Sequence, residues 1–522
     1  MVRKRRMQGK KQFLDKVVTR FRLSERVPPH NLYRRLAELV DWTFLYDETR
    51  ALYSHTGQPS LDPVVFFKLV LVGRLENLVS DRRLVEHCAL RLDILFFLGY
   101  EVDEELPWHS TVSRTRQLFP AAVFECLFDH VFAQCVARGL VAGDTQAVDS
   151  APVKANASLE AVVEKQAAGA RAPGPHVAGR DDRPVVPAAA VLTAPAHQLR
   201  QLATGQRRRQ GAQTGALGAR HEQARLLSNK THYSPTDPDA RISVKPGKAR
   251  ALNYLCSLAV DTAHGVISHV QADYADQRDS LHLPRLLTGL QRRLRENELP
   301  LRALLADAGY ANGSNYAQLE AARITAWIPV FGQYKAEIDG FTYHGPTDEY
   351  TCAAGKVLPF RKYDTRVDGA WLKIYWATCS DCQQCPRKPT CVPGAKRKQL
   401  TRTIYDAAYR RAWERQQTRR GQRKRRVREG TVEPVFGHLL HHYGLRRLNV
   451  RGHAGAHKTM LLTAVAYNLK KLLRHRPQRQ VSLAVALPRP MLAANWRAGR
   501  RNRHSEAPTR ARAQPRTRKS TA

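Results

Sequence analysis

Two aspartates in the sequence each follow a short apolar run with the composition of a β-strand. Asp149 lies in QAVDSAPVKANAS, and Asp307 lies in LLADAGYANGSNY directly after residues 304–306. In open α/β sheets, ligand sites gather outside the carboxyl ends of the strands. The two carboxylates could therefore converge at one sheet edge, although 307 − 149 = 158 residues separate them.

A third acid follows the most basic segment of the chain. Residues 410–428 contain ten Lys and Arg but a single acid, Glu414, and Glu433 comes shortly afterwards in EGTVEPVFGHLL. We place Glu433 in the first turn of a helix, where Pro434 is tolerated. An apolar stripe at helical spacing would dock this helix on a sheet: Val432, Phe436, Leu439 and Tyr443.

Three carboxylates in one site repel one another unless a multivalent cation lies between them. Hard oxygen ligands select Mg²⁺ or Mn²⁺. Two such ions about 3.5–4 Å apart can activate the attacking oxygen and stabilise the leaving oxygen in phosphodiester transfer. Each acid also has an ordinary explanation, because an Asp after a strand often caps a turn and the helix dipole favours a Glu in the first helical turn.

The charge of the whole chain indicates a polyanionic partner. Its 522 residues carry 85 Lys and Arg against 46 Asp and Glu, a net charge of +39, which favours binding to nucleic acid. A membrane-surface role would require a basic amphipathic helix or a lipidation motif, and the sequence shows neither. The apolar runs are too short to span a membrane, and no apolar signal region follows the basic N-terminus, so we predict a cytoplasmic protein.

Residues 30–140 have the pattern of a helical DNA-binding domain, and residues 1–29 precede it as a basic arm. HNLYRRLAELVDW and PVVFFKLVLVGRLENLVSDRRLVEHCAL repeat apolar residues every three or four positions. PWHSTVSRTRQLF, which contains Arg114 and Arg116, then places basic residues near a helix start. This segment fits the second helix of a helix–turn–helix that reads DNA, and it equally fits a plain helical bundle with a basic face.

Residues 141–475 predict an α/β domain, with a mixed sheet flanked by helices. A first strand is followed by a hairpin around TAHG, by a helix and by two short strands in RALLAD and TAWIPV. The helix carries the apolar stripe Leu283, Leu287, Leu290 and Leu294. An Ala- and Pro-rich insertion over residues 160–227 and a Cys-rich insertion over 335–400 interrupt the domain. Residues 476–522 are predicted to be a basic disordered tail.

Four blocks resemble, in the right order, the conserved blocks of DDE transposases from bacterial insertion sequences. They are VDSAPVKANAS, SPTDPDARISVKPGKARALNYLCSLAVD, LLADAGYANGSNY and VEPVFGHLLHHYGLRRLNVRG. Residues 30–120 resemble the helical N-terminal domain of the same family. The resemblance implies an RNase H-like catalytic core that binds two divalent ions, Mg²⁺ or Mn²⁺, with Asp149, Asp307 and Glu433 as the catalytic ligands.

The same resemblance suggests which basic residues contact DNA. Arg428 matches a basic position expected to bind backbone phosphate, and the last block adds Arg446, Arg447 and Arg451 as DNA-binding candidates. Related transposases often carry a Lys seven residues after the glutamate, close to the scissile phosphate, where this chain has Leu440. Either the nearby arginines or the two histidines after Leu440 replace that contact, or activity is weakened.

Three other acids near these blocks have different expected roles. Asp237 and Asp239 lie in SPTDPDAR, and we expect them to shape a loop and not to bind metal. Asp261, in LAVDTAHG, is embedded in a predicted strand and is the main competitor for a catalytic position.

The resemblance implies a transposase that binds terminal inverted repeats, cleaves there and joins the freed 3′-OH to target double-stranded DNA. It also implies a homodimer or a higher synaptic complex on the bacterial nucleoid. Two alternatives on the same fold are a nuclease that cleaves without joining and an inactive DNA-binding relic. An RNA-associated basic protein would carry aromatic stacking motifs, which the sequence does not show.

The Cys-rich insertion holds five of the nine cysteines: Cys352, Cys379, Cys382, Cys385 and Cys391. The spacing C-x2-C-x2-C-x5-C in a reducing compartment fits a structural Zn²⁺ site, with one thiol to spare. Unliganded thiols and an iron–sulfur cluster are the alternatives. The remaining cysteines lie in apolar contexts and are expected in the core.

Overall fold

A computed structural model describes residues 20–53, 60–165, 228–243, 250–330, 332, 334–365 and 371–475. The predicted basic tail, most of the basic N-terminal arm and nearly all of the Ala- and Pro-rich insertion lie outside these residues. The described residues form a group of N-terminal helices, a mixed sheet with covering helices, and a second, antiparallel sheet.

Eight helices form the N-terminal part of the described chain, and capping side chains begin two of them. They are α1 (Leu23–Arg26), α2 (Leu32–Leu39), α3 (Phe44–Thr49), α4 (Pro63–Leu75), α5 (Asp81–Ala89), α6 (Leu92–Leu98), α7 (His109–Leu118) and α8 (Ala121–Ala137). Asn31 accepts hydrogen bonds from the first free backbone N–H groups of α2, and Asp62 does the same for α4. Pro63 follows at the first position of α4, where its fixed φ suits the helix and its missing N–H breaks no helical hydrogen bond.

These helices pack as a bundle around aromatic side chains. The rings of Phe66 and Phe67 on α4 contact Phe119 and Phe124, with centroids 5.1–6.4 Å apart. Helix α7, which forms most of the basic segment PWHSTVSRTRQLF, packs against α5. Among the described helices, no single one is long and apolar enough to cross a membrane, and only α7 and α8 taken together, across a bend of 90°, match a span in length and composition.

The mixed sheet has the strand order of an RNase H-like core. Its strands are β1 (Thr145–Lys154), β4 (Arg241–Ser243), β5 (Ala251–Asp261), β6 (Ile267–Tyr274), β7 (Ala303–Leu305) and β8 (Thr325–Trp327). Strand β1 lies in the centre, antiparallel to β5 and parallel to β7, and β8 continues parallel to β7. Strands β4 and β6 both pair with β5, and the turn between β5 and β6 confirms the hairpin predicted at TAHG. Strands β2 (Val163–Glu164) and β3 (His232–Tyr233) form a separate short pair.

Helices cover this sheet and join it to the N-terminal bundle. The covering helices are α9 (Asp279–Glu296), α10 (Gly313–Ala321), α13 (Asp406–Gln417), α14 (Arg419–His442) and α15 (His453–Arg474). The predicted leucine stripe of α9 is buried, which confirms its orientation. Helix α15 is buried along most of its length and contacts β6, α4 and α8. One continuous hydrophobic core therefore includes both the bundle and the sheet.

The prediction that Glu433 lies in the first turn of a helix is wrong. Helix α14 begins at Arg419, with the Thr418 hydroxyl capping its N-terminus by accepting from the backbone N–H of Gly421, so Glu433 lies in its second half. The basic run consists largely of Arg, Lys and Gln, which are good helix formers, and the helix therefore extends back through it. Pro434 lies inside the helix, where it has no N–H to donate to the carbonyl four residues earlier.

The Cys-rich insertion forms a second, fully antiparallel sheet. Its order is β13-β12-β11-β10-β9, with β9 (Phe341–His344), β10 (Glu349–Cys352), β11 (Val357–Thr365), β12 (Trp371–Trp376) and β13 (Gln399–Thr403). Two short helices, α11 (Cys379–Gln383) and α12 (Lys388–Cys391), lie between β12 and β13. This insertion separates the second sheet-edge aspartate from the helix that carries Glu433.

Candidate active site

The parallel pairing of β1 and β7 brings Asp149 and Asp307 to the same level. The last paired residues are Ala147 and Leu305, and each aspartate lies two positions further along its chain. Residues two positions apart along a strand point to the same face, and neighbouring strands lie about 4.8 Å apart. The register thus brings together two side chains that are distant in the sequence.

Asp149 lies in a largely buried environment that does not favour its charged form. Burial and the negative charges of Asp307 and Asp279 raise the pKa of Asp149 to about 6, even though the Ser150 N–H and the Arg428 guanidinium act in the opposite direction. The Ser150 N–H donates to Asp149 Oδ1 at 2.8 Å, and Arg428 Nη1 donates to Asp149 Oδ2 at 2.9 Å. A bound cation would relieve the repulsion between these acids.

Helix α9 adds a carboxylate, Asp279, that was not among the predicted site residues. Asp307 accepts a hydrogen bond from the Gly309 N–H at 3.0 Å. A Cβ at Gly309 would lie 3.1 Å from an oxygen of Asp307 and 3.1 Å from an oxygen of Asp279, so the two carboxylates flank this glycine. Asp279, in the first turn of α9, also accepts a hydrogen bond from the Ser150 hydroxyl. The available sequence signal was its position at a helix start directly after the hairpin.

Glu433 is linked to Asp149 through an arginine. Its side chain is 63% exposed, and its Oε1 lies 3.5 Å from Nη2 of Arg428, whose other terminal nitrogen contacts Asp149. Arg428 itself is almost completely buried and is five residues before Glu433 on α14. The guanidinium therefore stands as a monovalent cation between two of the three predicted metal ligands.

The donor set suits a hard divalent cation, although its members are not yet spaced as ligands. Among the described residues, no three His, Cys, Asp or Glu side chains lie close enough together to hold an ion as they stand. The site nevertheless offers carboxylate oxygens, which Mg²⁺ and Mn²⁺ prefer. The raised pKa of Asp149 and the arginine between Asp149 and Glu433 are both consistent with a site that requires positive charge.

Asp261, the competing candidate, has a structural position. It is fully buried and pairs with Gln146 in the register of β1 and β5. Its carboxylate accepts hydrogen bonds from the N–H groups of Gly143 and Ala263 and from the Gln146 side chain, at 2.8–2.9 Å. These contacts fix the beginning of β1.

Asp237 and Asp239 make the loop contacts that were expected of them. Asp237 accepts from the Tyr254 hydroxyl at 2.6 Å and from the Gly452 N–H at 3.1 Å. Asp239 accepts from the His453 N–H at 3.0 Å, at the start of α15. The two acids therefore tie the SPTDPDAR loop to the beginning of that helix.

The N-terminal half of α14 presents a basic face beside the carboxylates. Arg419, Arg423 and Arg426 are exposed and form no ion pair with any residue in the described ranges. Other arginines of the run are neutralised: Arg411, for example, binds Glu320 through two nitrogens, at 2.9 and 2.5 Å. The free positive charge thus lies on the helix that also carries Arg428 and Glu433.

The other predicted DNA-binding arginines lie in two regions. Arg446 and Arg447 are exposed, and their backbone runs beside Lys154 at the end of β1, while Arg451 is exposed further along the same loop. Arg114 is exposed on α7. The guanidinium of Arg116 binds both carboxylate oxygens of its neighbour, Asp81, at 2.8 and 2.7 Å.

The position where the family resemblance predicts a lysine holds a leucine that packs against the core. Leu440 is partly buried and packs against the main hydrophobic core. The two histidines that follow it are exposed at the end of α14.

Comparison with known protein families gives two matches. The family described as "Transposase domain (DUF772)" matches residues 21–118, which include α1 to α7. The family described as "Transposase DDE domain" matches residues 351–473, which include α14 and Glu433 but neither Asp149 nor Asp307. A search of the curated proteins gave no match.

Proposed function

We propose, because this chain belongs to the DDE transposases of insertion sequences, that it binds the ends of its own element and catalyses metal-dependent DNA cleavage and strand transfer there. The observation that supports this most directly is the register of β1 and β7, which places Asp149 level with Asp307. Arg428 then links Asp149 to Glu433. These two relations support the proposal that the three predicted acids form one site at an edge of the RNase H-like sheet.

Asp149, Asp307 and Glu433 would hold the divalent ions, Mg²⁺ or Mn²⁺, which supply activation of the attacking oxygen and neutralisation of phosphate charge. Ser150 orients Asp149 through its backbone N–H, and Asp279 in turn fixes the Ser150 hydroxyl. In phosphoryl transfer the protein contributes mostly positioning and charge neutralisation. This chain accordingly needs no side-chain nucleophile.

Arg428 would exchange carboxylate for phosphate when DNA binds. A guanidinium binds carboxylate and phosphate with the same paired geometry. A divalent cation held by Asp149 and Glu433 would weaken the attraction of these carboxylates for Arg428. The guanidinium of Arg428 would then be available to the DNA backbone. Arg419, Arg423 and Arg426 are exposed on the face of α14 that also carries Glu433, and they would bring the DNA backbone to that face.

The wider assignments rest on the family. We propose that the N-terminal helices bind the terminal inverted repeats and that Arg446, Arg447 and Arg451 hold backbone phosphate near the end of β1. The reaction would bring the two ends of the insertion sequence together, which implies a homodimer or a higher synaptic complex. This complex would act on the nucleoid in the bacterial cytoplasm.

A second candidate function is that of a DNA-binding relic without catalytic activity. It is favoured by Leu440, which packs on the core where related enzymes often place a DNA-contacting lysine. A relic would retain the basic surface, and with it DNA binding, after losing the reaction.

The test is cleavage and joining of a labelled fragment that carries the element's own end, with Mg²⁺ or Mn²⁺. Wild type is compared with Glu433→Gln, and Glu414→Gln is the matched control, because Glu414 lies on the neighbouring helix α13, is exposed and pairs with Arg410 at 3.4 Å. We expect Glu433→Gln to bind the end but neither to cut nor to join it, while the control reacts like wild type.

Each other outcome identifies a different function. Cleavage without joined product in the wild type would indicate a nuclease. Binding without any reaction in the wild type, under either metal, would support the relic. Wild-type cleavage by Glu433→Gln would show that Glu433 is not a catalytic ligand.

A further inference from the structure

Four of the five cysteines in the Cys-rich insertion line one small cavity. The cavity has a volume of about 30 Å³ and lies between the second sheet and the helices α11 and α12. Its thiols come from Cys352, Cys382, Cys385 and Cys391, whereas Cys379 is not part of its wall. A space of this size suits a single ion or water molecule.

Hydrogen-bond donors and positive charges surround this cavity. The backbone N–H of Lys398 donates to Cys382 Sγ at 3.4 Å, a contact that stabilises a sulfur carrying negative charge. Lys356 and Lys388 also line the cavity, together with Lys398 and a single acid, Asp381. Four thiolates around one Zn²⁺ carry a net charge of −2, which these lysines would offset.

The insertion has little else to stabilise it. The hydrophobic cluster of the second sheet is small within the described ranges and consists of five buried residues, namely Tyr350, Leu358, Tyr375, Ala377 and Leu400. Ile374 on β12 is buried as well. Cys352 and Cys382 pack directly against this small cluster. Units with so small a core usually need a metal, disulfides or oligomerisation to remain folded. Helices α11 and α12 have five and four residues, too short to be stable alone.

We propose that Cys352, Cys382, Cys385 and Cys391 bind one structural Zn²⁺ that ties α11, α12 and the β10–β11 turn to the second sheet. Each thiol releases its proton to solvent as it binds, and Zn²⁺ keeps its oxidation state. The four side chains are not spaced as ligands as they stand, so they must turn toward the cavity, as expected where metal binding completes local folding. Cys379 is the spare thiol.

The experiment measures metal content in the full-length protein, purified without chelator from zinc-supplemented medium. We expect about one zinc and no stoichiometric iron per chain, by mass spectrometry, in wild type and in Cys379→Ser. Cys382→Ser and Cys391→Ser should each retain less than about a tenth of that zinc. Replacing zinc with Co²⁺ in the wild type should give the visible absorption bands of a tetrahedral cobalt–thiolate centre.

The wild type keeps the proposal testable even if a serine variant fails to fold. With zinc bound, a thiol reagent should modify four fewer cysteines than it does after chelation. Three results would each overturn the assignment: wild-type protein without zinc, wild-type protein with iron in its place, or a Cys379→Ser variant that loses zinc as fully as Cys382→Ser does. Zinc content is independent of DNA cleavage, so Glu433→Gln should hold as much zinc as wild type whether or not the catalytic proposal is correct.

Discussion

Asp279 offers the sharpest test of how the active site is held together. Its carboxylate accepts a hydrogen bond from the Ser150 hydroxyl, and Ser150 in turn donates its N–H to Asp149. Ser150 is only 7% exposed, so little water can replace a lost partner. We therefore expect Asp279 to act as a positioning residue for Asp149 and to make no contact with DNA of its own.

Two substitutions separate the charge of Asp279 from its hydrogen bond. Asp279→Ala removes both, and a hydrogen bond to a charged group contributes about 1.5–3 kcal/mol. At about 1.4 kcal/mol per factor of ten, the single-turnover cleavage rate should fall roughly 10- to 100-fold. Asp279→Asn keeps an acceptor oxygen and loses the charge, so its rate should fall by about half as much on a logarithmic scale.

The assay is single-turnover cleavage of the end fragment at increasing Mg²⁺ concentration, with DNA binding measured in parallel. A misplaced Asp149 should raise the Mg²⁺ concentration needed for half-maximal rate, while affinity for the end stays at the wild-type value. Wild-type cleavage by Asp279→Ala at every Mg²⁺ concentration would refute the reasoning. An equal loss of DNA binding would show that the substitution disturbs the fold and not the position of Asp149.

Three further predictions concern stability and DNA binding. Arg293 is 1% exposed and binds Glu125 and Asp129. Arg293→Met should therefore lower the free energy of unfolding, measured by urea denaturation, by about 3 kcal/mol. The control Arg292→Met, at a half-exposed arginine that also binds Asp129, should lower it by less than about 1 kcal/mol. Burial alone would raise the pKa of Glu125, but the hydrogen bond from His457 and the charge of Arg293 outweigh it and lower that pKa to about 2. Burial lowers the pKa of His269 to about 3. At these two groups the unfolded chain binds more protons, whereas Asp149, whose pKa is raised to about 6, binds more in the folded chain between about pH 4 and 6. The urea midpoint should therefore fall most steeply as the pH drops from about 4.5 toward 3, and a midpoint that stays constant over that range would contradict this network. Leu440→Lys should add one phosphate contact, so the slope of log binding constant against log salt concentration should become steeper by about 0.9. An unchanged slope would show that this position lies away from the DNA.

The local order of elements followed from the sequence because it depends on near neighbours. The leucines of α9 repeat at helical spacing, and the same side chains are buried in the fold. The turn residues of TAHG separate two β-rich runs, which pair as β5 and β6. Asn31 and Asp62 mark helix starts through their own hydrogen bonds to the following backbone.

The sequence determined the composition of the candidate site, but only the tertiary structure decided its geometry. Asp149 and Asp307 were recognisable from motif resemblance, yet their common level depends on the parallel register of β1 with β7, a pairing between segments far apart in the chain. Arg428 was expected to bind phosphate, and only the docking of α14 on the sheet shows it between two carboxylates. Asp279 joins the site because α9 packs on β5, β6 and the turn after β7, an arrangement between distant segments of the chain. Short-range patterns encode which helices and strands form, whereas packing between distant segments determines which charges must share a site.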